Sequence, residues 1–168
     1  MANSPALPNM TEPASASVAT QLTYTDGSIR TVYTTEVEVP FPQGRLIVSR
    51  TDLTGIITHA NDAFVEMSAY TREELIGAPH HILRHPCMPK IAFKGLWDTI
   101  AAGQKWHGYV KNLRKDGAFY WVYATAIPNI REGVIVGYTS VRRKPSRTRV
   151  DGLVPVYQQW LDEEKAAS

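Results

Sequence analysis

Asn112 lies within a run of residues that favours β structure, so its side chain faces either a pocket or the opposite side of a sheet. A carboxamide carries a donor and an acceptor together, which suits a polar ring edge. The plain alternative is an edge-strand Asn beside a bulge. Trp97, Trp106 and Trp121 are large flat side chains that can pack on a flat ligand or fill a core. Trp106 precedes Asn112 by six residues and shares its strand parity, so it is the tryptophan expected to face a ligand. Trp97 and Trp121 read first as core. Arg84 and His85 stand just before a helix start, where a guanidinium and free backbone N–H groups suit a phosphate. Read without further context, they are a surface Arg and a turn-stabilising His. His59, His80, His81, His85, His107 and Cys87 show no zinc-ligand spacing. No acid, base and nucleophile stand together, so binding is expected rather than turnover.

These residues need a scaffold. Residues 1–21 are rich in Ala, Ser and Pro and are expected to be disordered. Residues 22–45 form a flanking segment with β character, and Asp26-Gly27 suits a hairpin turn. A compact domain is expected over 46–144. Leu46-Ile47-Val48 and Ile56-Ile57 read as short strands. Asn61 can cap a helix carrying Phe64, Val65 and Met67. Thr71 and Glu74 form a capping box for a helix that Gly77 ends. Lys90 to Ala102 is a further helix with Ile91, Leu96, Trp97 and Ile100 near one face. Strands over Trp106–Arg114, Ala118–Pro128 and Val134–Arg143 follow, with turns at Asp116-Gly117 and Glu132-Gly133. This order predicts an α+β fold, an antiparallel sheet with helices on one face enclosing a pocket. Residues 145–168 read as a basic linker and a short helix, with Arg142 to Arg149 as solvated charge.

The chain has 168 residues, 43% hydrophobic and 20% charged, and a net charge of +2. That is enough for a core without disulfides, and too little positive charge to imply a nucleic-acid partner. The single cysteine fits a reducing compartment. The best apolar run, Tyr120 to Ile130, is broken by Pro128 and Asn129. The first basic residue is Arg30, so the positive region of a secretory signal is missing and no such signal is expected. A cytoplasmic protein with no membrane segment in this chain is expected.

Several words spread over residues 46–143 resemble the PAS family, and within it the flavin-binding PAS domain of the aerotaxis-transducer (Aer) type. They include Thr58-His59-Ala60-Asn61-Asp62, Arg84-His85-Pro86-x-Met88-Pro89-Lys90, Ala92-Phe93, Leu96-Trp97, Val110-Lys111-Asn112 and Tyr120-Trp121-Val122. The resemblance implies a five-stranded antiparallel sheet, bound FAD, and signalling without turnover. It implies cofactor contacts from Asn61, Arg84, His85, Cys87, Phe93, Trp97, Trp106 and Asn112. Asn112 would meet the pyrimidine edge of the flavin, and Arg84 and His85 the pyrophosphate. Cys87 replaces the acidic residue usual in the Arg-His-Pro word.

The light-sensing LOV branch of the family uses a cysteine shortly after the glycine that ends the capped helix. That position is His80 here, and Cys87 falls ten residues after Gly77, so no light-driven adduct is expected. The expected output is a redox or oxygen signal passed by a change of shape, through a homodimer or to a chemotaxis receptor or other signalling protein. A PAS module that dimerises without a cofactor is the competing expectation, and a flavoenzyme the third.

Overall fold

The computed structural model describes residues 5–168. An N-terminal hairpin comes first, β1 (Val18–Thr23) and β2 (Ile29–Thr34), turning at Asp26-Gly27. Strands β3 (Ile47–Thr51) and β4 (Ile57–Ala60) follow. Helices α1 (Asp62–Ser68) and α2 (Arg72–Leu75), a 3₁₀ turn (His80–Leu83) and α3 (Lys90–Ala101) lead into β5 (Trp106–Leu113), β6 (Phe119–Arg131) and β7 (Val134–Arg143). The last element is α4 (Arg147–Ala167).

The expected five-stranded antiparallel sheet is present, in the order β4-β3-β7-β6-β5. Its even-numbered positions in β5, β6 and β7 face α3, because side chains alternate along a strand. Asn61 caps α1 and the Thr71–Glu74 capping box opens α2, as the sequence implied. Pro128 falls beyond the end of β5, where the outer edge of β6 is free and a missing N–H costs no ladder bond.

Three expectations need correction. Residues 1–21 were expected to be disordered. Residues 1–4 lie outside the described residues, but Asn9 and Met10 lie against β2 and Val18–Thr23 form β1. Met10 is buried with Val32 and Leu113, and its N–H donates to the Thr31 carbonyl at 3.0 Å. Backbone pairing and one apolar anchor order a stretch whose composition alone is loop-like.

The second correction concerns the tail. A 21-residue helix starts at Arg147, capped by Ser146, and runs through Gly152 and Pro155. Gly and Pro disfavour a helix interior, so tertiary contact must carry it. Tyr157 supplies that contact on the outer sheet face, donating to the Tyr109 carbonyl at 2.7 Å and stacking on Trp121. The expected helices lie on the inner face, and α4 adds a contact through Tyr157 on the other.

Third, Arg142 belongs to no solvated linker. It is the penultimate residue of β7 and points into the protein at 2% exposure. No helix among the described residues is long and apolar enough to cross a membrane.

Candidate functional site

A cavity of about 570 Å³ lies between α3, the 3₁₀ turn and the inner sheet face. Its floor follows from strand parity. Val110 and Asn112 of β5, Val122, Ala124 and Ala126 of β6, and Tyr138, Ser140 and Arg142 of β7 all point inward. Ala124 and Ala126 keep the centre of the floor low. Phe93, Leu96 and Trp97 of α3 form the opposite wall. Trp97 packs edge-on to Tyr138, and its ring would lie 3.2 Å from a Cβ at Gly55. Gly55 has φ +86°, so the β3–β4 turn needs glycine both for its backbone and for the approach of Trp97. The hairpin turn, Tyr24 to Asp26, also borders the cavity.

The polar heart of the floor is Arg142. One guanidinium nitrogen, Nη2, donates to the Ser49 hydroxyl at 2.5 Å. Nη1 lies 3.3 Å from His80 Nε2, and the guanidinium carbon sits 4.7 Å above the Phe64 ring. Nε is enclosed without a protein partner. Among the described residues no carboxylate pairs with Arg142. Burial lowers its pKa to about 10, so it stays charged at neutral pH. Burial first, and the Arg142 charge second, push His80 down to about 3. A neutral His80 can present a lone pair to the guanidinium.

Asn112 is buried at 6% and lines the cavity. Its backbone bridges to Arg84, which ties the segment after the 3₁₀ turn to β5. Near it the Tyr120 phenol is fully buried, and burial raises it to about 12. Arg84 borders the cavity with its guanidinium 5.4 Å over the Phe93 ring and an unpartnered Nε. Lys90 and Lys94 stand on the rim, Lys94 paired with Asp98 at 2.5 Å. Buried polar atoms without partners are rare and call for an explanation, and for Arg84 and Arg142, which line the cavity, a bound polar ligand provides one.

Of the expected contacts, Arg84, Phe93, Trp97 and Asn112 meet around this cavity. Asn61, His85, Cys87 and Trp106 do not line it. Asn61 is fully used in capping: its side-chain oxygen accepts from Phe64 N and Val48 N, and its amide donates to the Leu46 carbonyl. His85 is buried against the edge of Phe119 and accepts from the Cys87 N–H at 3.0 Å. Cys87 itself is exposed. Trp106 has the expected parity, but its ring lies over Gly108 of its own strand, where any Cβ would collide with it. Trp97 thus lines the cavity and Trp106 does not.

Arg142, Ser49, His80 and Tyr24–Asp26 were not foreseen. Parity along β7 carried a signal for Arg142, masked by the basic run that follows it. Among the described residues no cluster of three His, Cys, Asp or Glu side chains can hold a metal.

Residues 57–142 match the PAS fold family. The chain is 46% identical over 126 residues to the aerotaxis receptor of Escherichia coli (strain K12), spanning 75% of this chain and 25% of the receptor. It is 28% identical over 102 residues to the nitrogen fixation regulatory protein of Klebsiella pneumoniae, covering 60% of this chain and 21% of that protein. The chain thus spans about a quarter or less of the length of these relatives. Among solved structures, the light state of the blue-light photoreceptor Aureochrome1 LOV superposes with a TM-score of 0.60 at 23% identity, over 65% of this chain and 88% of that one. A PAS domain from Colwellia psychrerythraea gives 0.51 at 25% identity, over 61% and 87%. The Aureochrome1 likeness speaks to the fold alone.

Proposed function

This chain belongs to the PAS family, with a sequence of the aerotaxis-receptor type, and on that premise we propose that it is a sensor domain that holds FAD and reports redox state by changing shape. The observation that carries the reading is the cavity floor. A buried carboxamide, Asn112, and a buried cation without a carboxylate, Arg142, share one inner face under an aromatic wall.

These residues fit a flavin. Asn112 can donate to and accept from the pyrimidine edge. Phe93, Leu96 and Trp97 cover the ring plane and exclude water. Arg84 and Lys90, cavity-lining cations outside any ion pair among the described residues, suit the pyrophosphate. A bound flavin supplies a reversible electron store. The protein's own part is to orient the ring and to answer a change in its charge. Arg142 is placed for that answer: it holds Ser49 of β3, and its strand ends four residues before α4 begins. A shift of its guanidinium passes both into the β3–β7 pairing and into α4.

Turnover is not required for this role. We assign the chain to the cytoplasm, with output through a homodimer or to a chemotaxis receptor or other signalling partner. The test is a visible spectrum of the purified protein, followed by mass measurement of the released cofactor. FAD supports the reading. FMN or haem in the extract overturns the FAD assignment, and colourless protein that takes up no flavin favours a cofactor-free interaction module.

A further inference from the structure

The N-terminal hairpin lies outside the residues that match the PAS family, 57–142, yet it forms part of the cavity. It is held there firmly. Arg30 of β2 is buried and donates to the Pro8 and Ile82 carbonyls and to the Tyr70 hydroxyl. Tyr24, buried at the end of the hairpin, stacks on His81 with 3.9 Å between ring centroids and 9° between planes. Its hydroxyl is enclosed without a protein partner. Asp26 follows in the exposed turn, its carboxylate set by the Ser28 N–H and hydroxyl at 2.9 and 2.6 Å.

The rim of the cavity is thus asymmetric in chemistry. Arg84 and Lys90 bring positive charge from the helical side. The hairpin brings a carboxylate and, with His81, a stacked aromatic pair. Ribose hydroxyls donate well to a carboxylate, and a purine packs well on a flat neutral ring. His81 is such a ring: burial above all holds it near 4, against the upward pull of Asp26 and with smaller help from Arg30 and Arg84, and so keeps it neutral at physiological pH. A flavin mononucleotide has ribityl hydroxyls that a carboxylate can also hold but no purine for the stacked pair, so only the dinucleotide uses both features of this wall.

We propose that the hairpin turn is the nucleotide-binding wall of the flavin site, with Asp26 accepting from the ribose of the adenosine and the Tyr24–His81 pair flanking its purine, so that the hairpin selects the dinucleotide over the mononucleotide. This rests on the flavin reading above.

The test titrates the apoprotein with FAD and with FMN and follows flavin fluorescence. Wild type should prefer FAD by tenfold or more. Asp26→Ala and His81→Ala should each weaken FAD roughly tenfold, about 1.4 kcal/mol, and leave FMN within about twofold. Circular dichroism and thermal melts establish that each variant is folded. Should His81→Ala fail to fold, the exposed Asp26→Ala change decides. If FAD and FMN weaken together, or FAD binding is unchanged in Asp26→Ala, the hairpin has no such role while the flavin reading stands. If wild type binds neither flavin, the flavin reading falls and this inference falls with it.

Discussion

Arg142 Nη2 reaches the Ser49 hydroxyl at 2.5 Å diagonally across the β3–β7 ladder, inside the cavity and with no carboxylate paired to it among the described residues. A buried charge without a counter-ion destabilises an empty protein but strengthens a site for an electron-rich ligand. Arg142→Met should therefore split two readouts. The apoprotein should melt at an unchanged or higher temperature, because an apolar side chain of similar length replaces an uncompensated cation. Flavin affinity should fall by about tenfold or more, since a hydrogen bond from a charged group contributes roughly 1.5–3 kcal/mol. The flavin midpoint potential should fall as well, because a positive charge near the ring favours added electrons. Calorimetry, titration and a dye-coupled reduction measure the three. Unchanged affinity and potential would remove Arg142 from the site.

The two asparagines make a matched pair. Asn112 lines the cavity, while Asn61 spends its carboxamide on the α1 cap and on β3. Asn112→Ala should lower flavin occupancy by on the order of 1 kcal/mol in binding, with the fold retained. Asn61→Ala should cost about 0.5–2 kcal/mol of stability and leave flavin affinity unaltered. Urea melts and flavin titrations on both variants separate the roles. The opposite pattern would return Asn61 to the site and take Asn112 out.

The sequence makes the strands, the Asn61 and Thr71 caps and the Asp-Gly turns legible because each is a local signal a few residues long. Asn112 was also legible, since parity within one strand needs no knowledge of its neighbours. Three features were hidden for different physical reasons. Arg142 reads as the start of a basic linker because its burial depends on Ser49, some ninety residues earlier in the chain. Trp106 has the right parity but meets Gly108 first, a contact that depends on its rotamer. The segment before β1 lacks apolar density, and only Met10 and backbone pairing to β2 order it. Local chemistry is written locally; long-range partners are not.

Light offers a direct check on Cys87. Its side chain is exposed and lies outside the cavity, while His80 borders the cavity at the position where a LOV cysteine would stand. Blue light should bleach the flavin to the same small extent in wild type and Cys87→Ala. Reversible bleaching seen only in wild type would require the cysteine to reach the ring.

Output through a homodimer can be tested on α4. Tyr157 folds back on the sheet, but Val154 and Trp160 remain outward, the latter at 36% exposure. Trp160→Glu should leave flavin binding intact and shift sedimentation from dimer to monomer. A wild-type protein that sediments as a monomer, oxidised and reduced alike, would exclude this route.

Acid should unfold the domain through its histidines. Burial is the first cause that lowers His80 and His85 to about 3 and His81 to about 4. In the unfolded chain each titrates near 6.5. Between about pH 6.5 and pH 4 the unfolded state therefore binds protons that the native state refuses, so stability rises with pH across this window and falls on acidification. Each histidine contributes up to about 1.4 kcal/mol per pH unit there. Urea midpoints should be flat from pH 8 to 7 and drop steeply below 6. His85 lies outside the cavity, so His85→Gln should flatten the slope by about one proton with little effect on flavin affinity. A midpoint that stays level down to pH 4.5 in the wild type would mean that these rings accept protons in the folded protein.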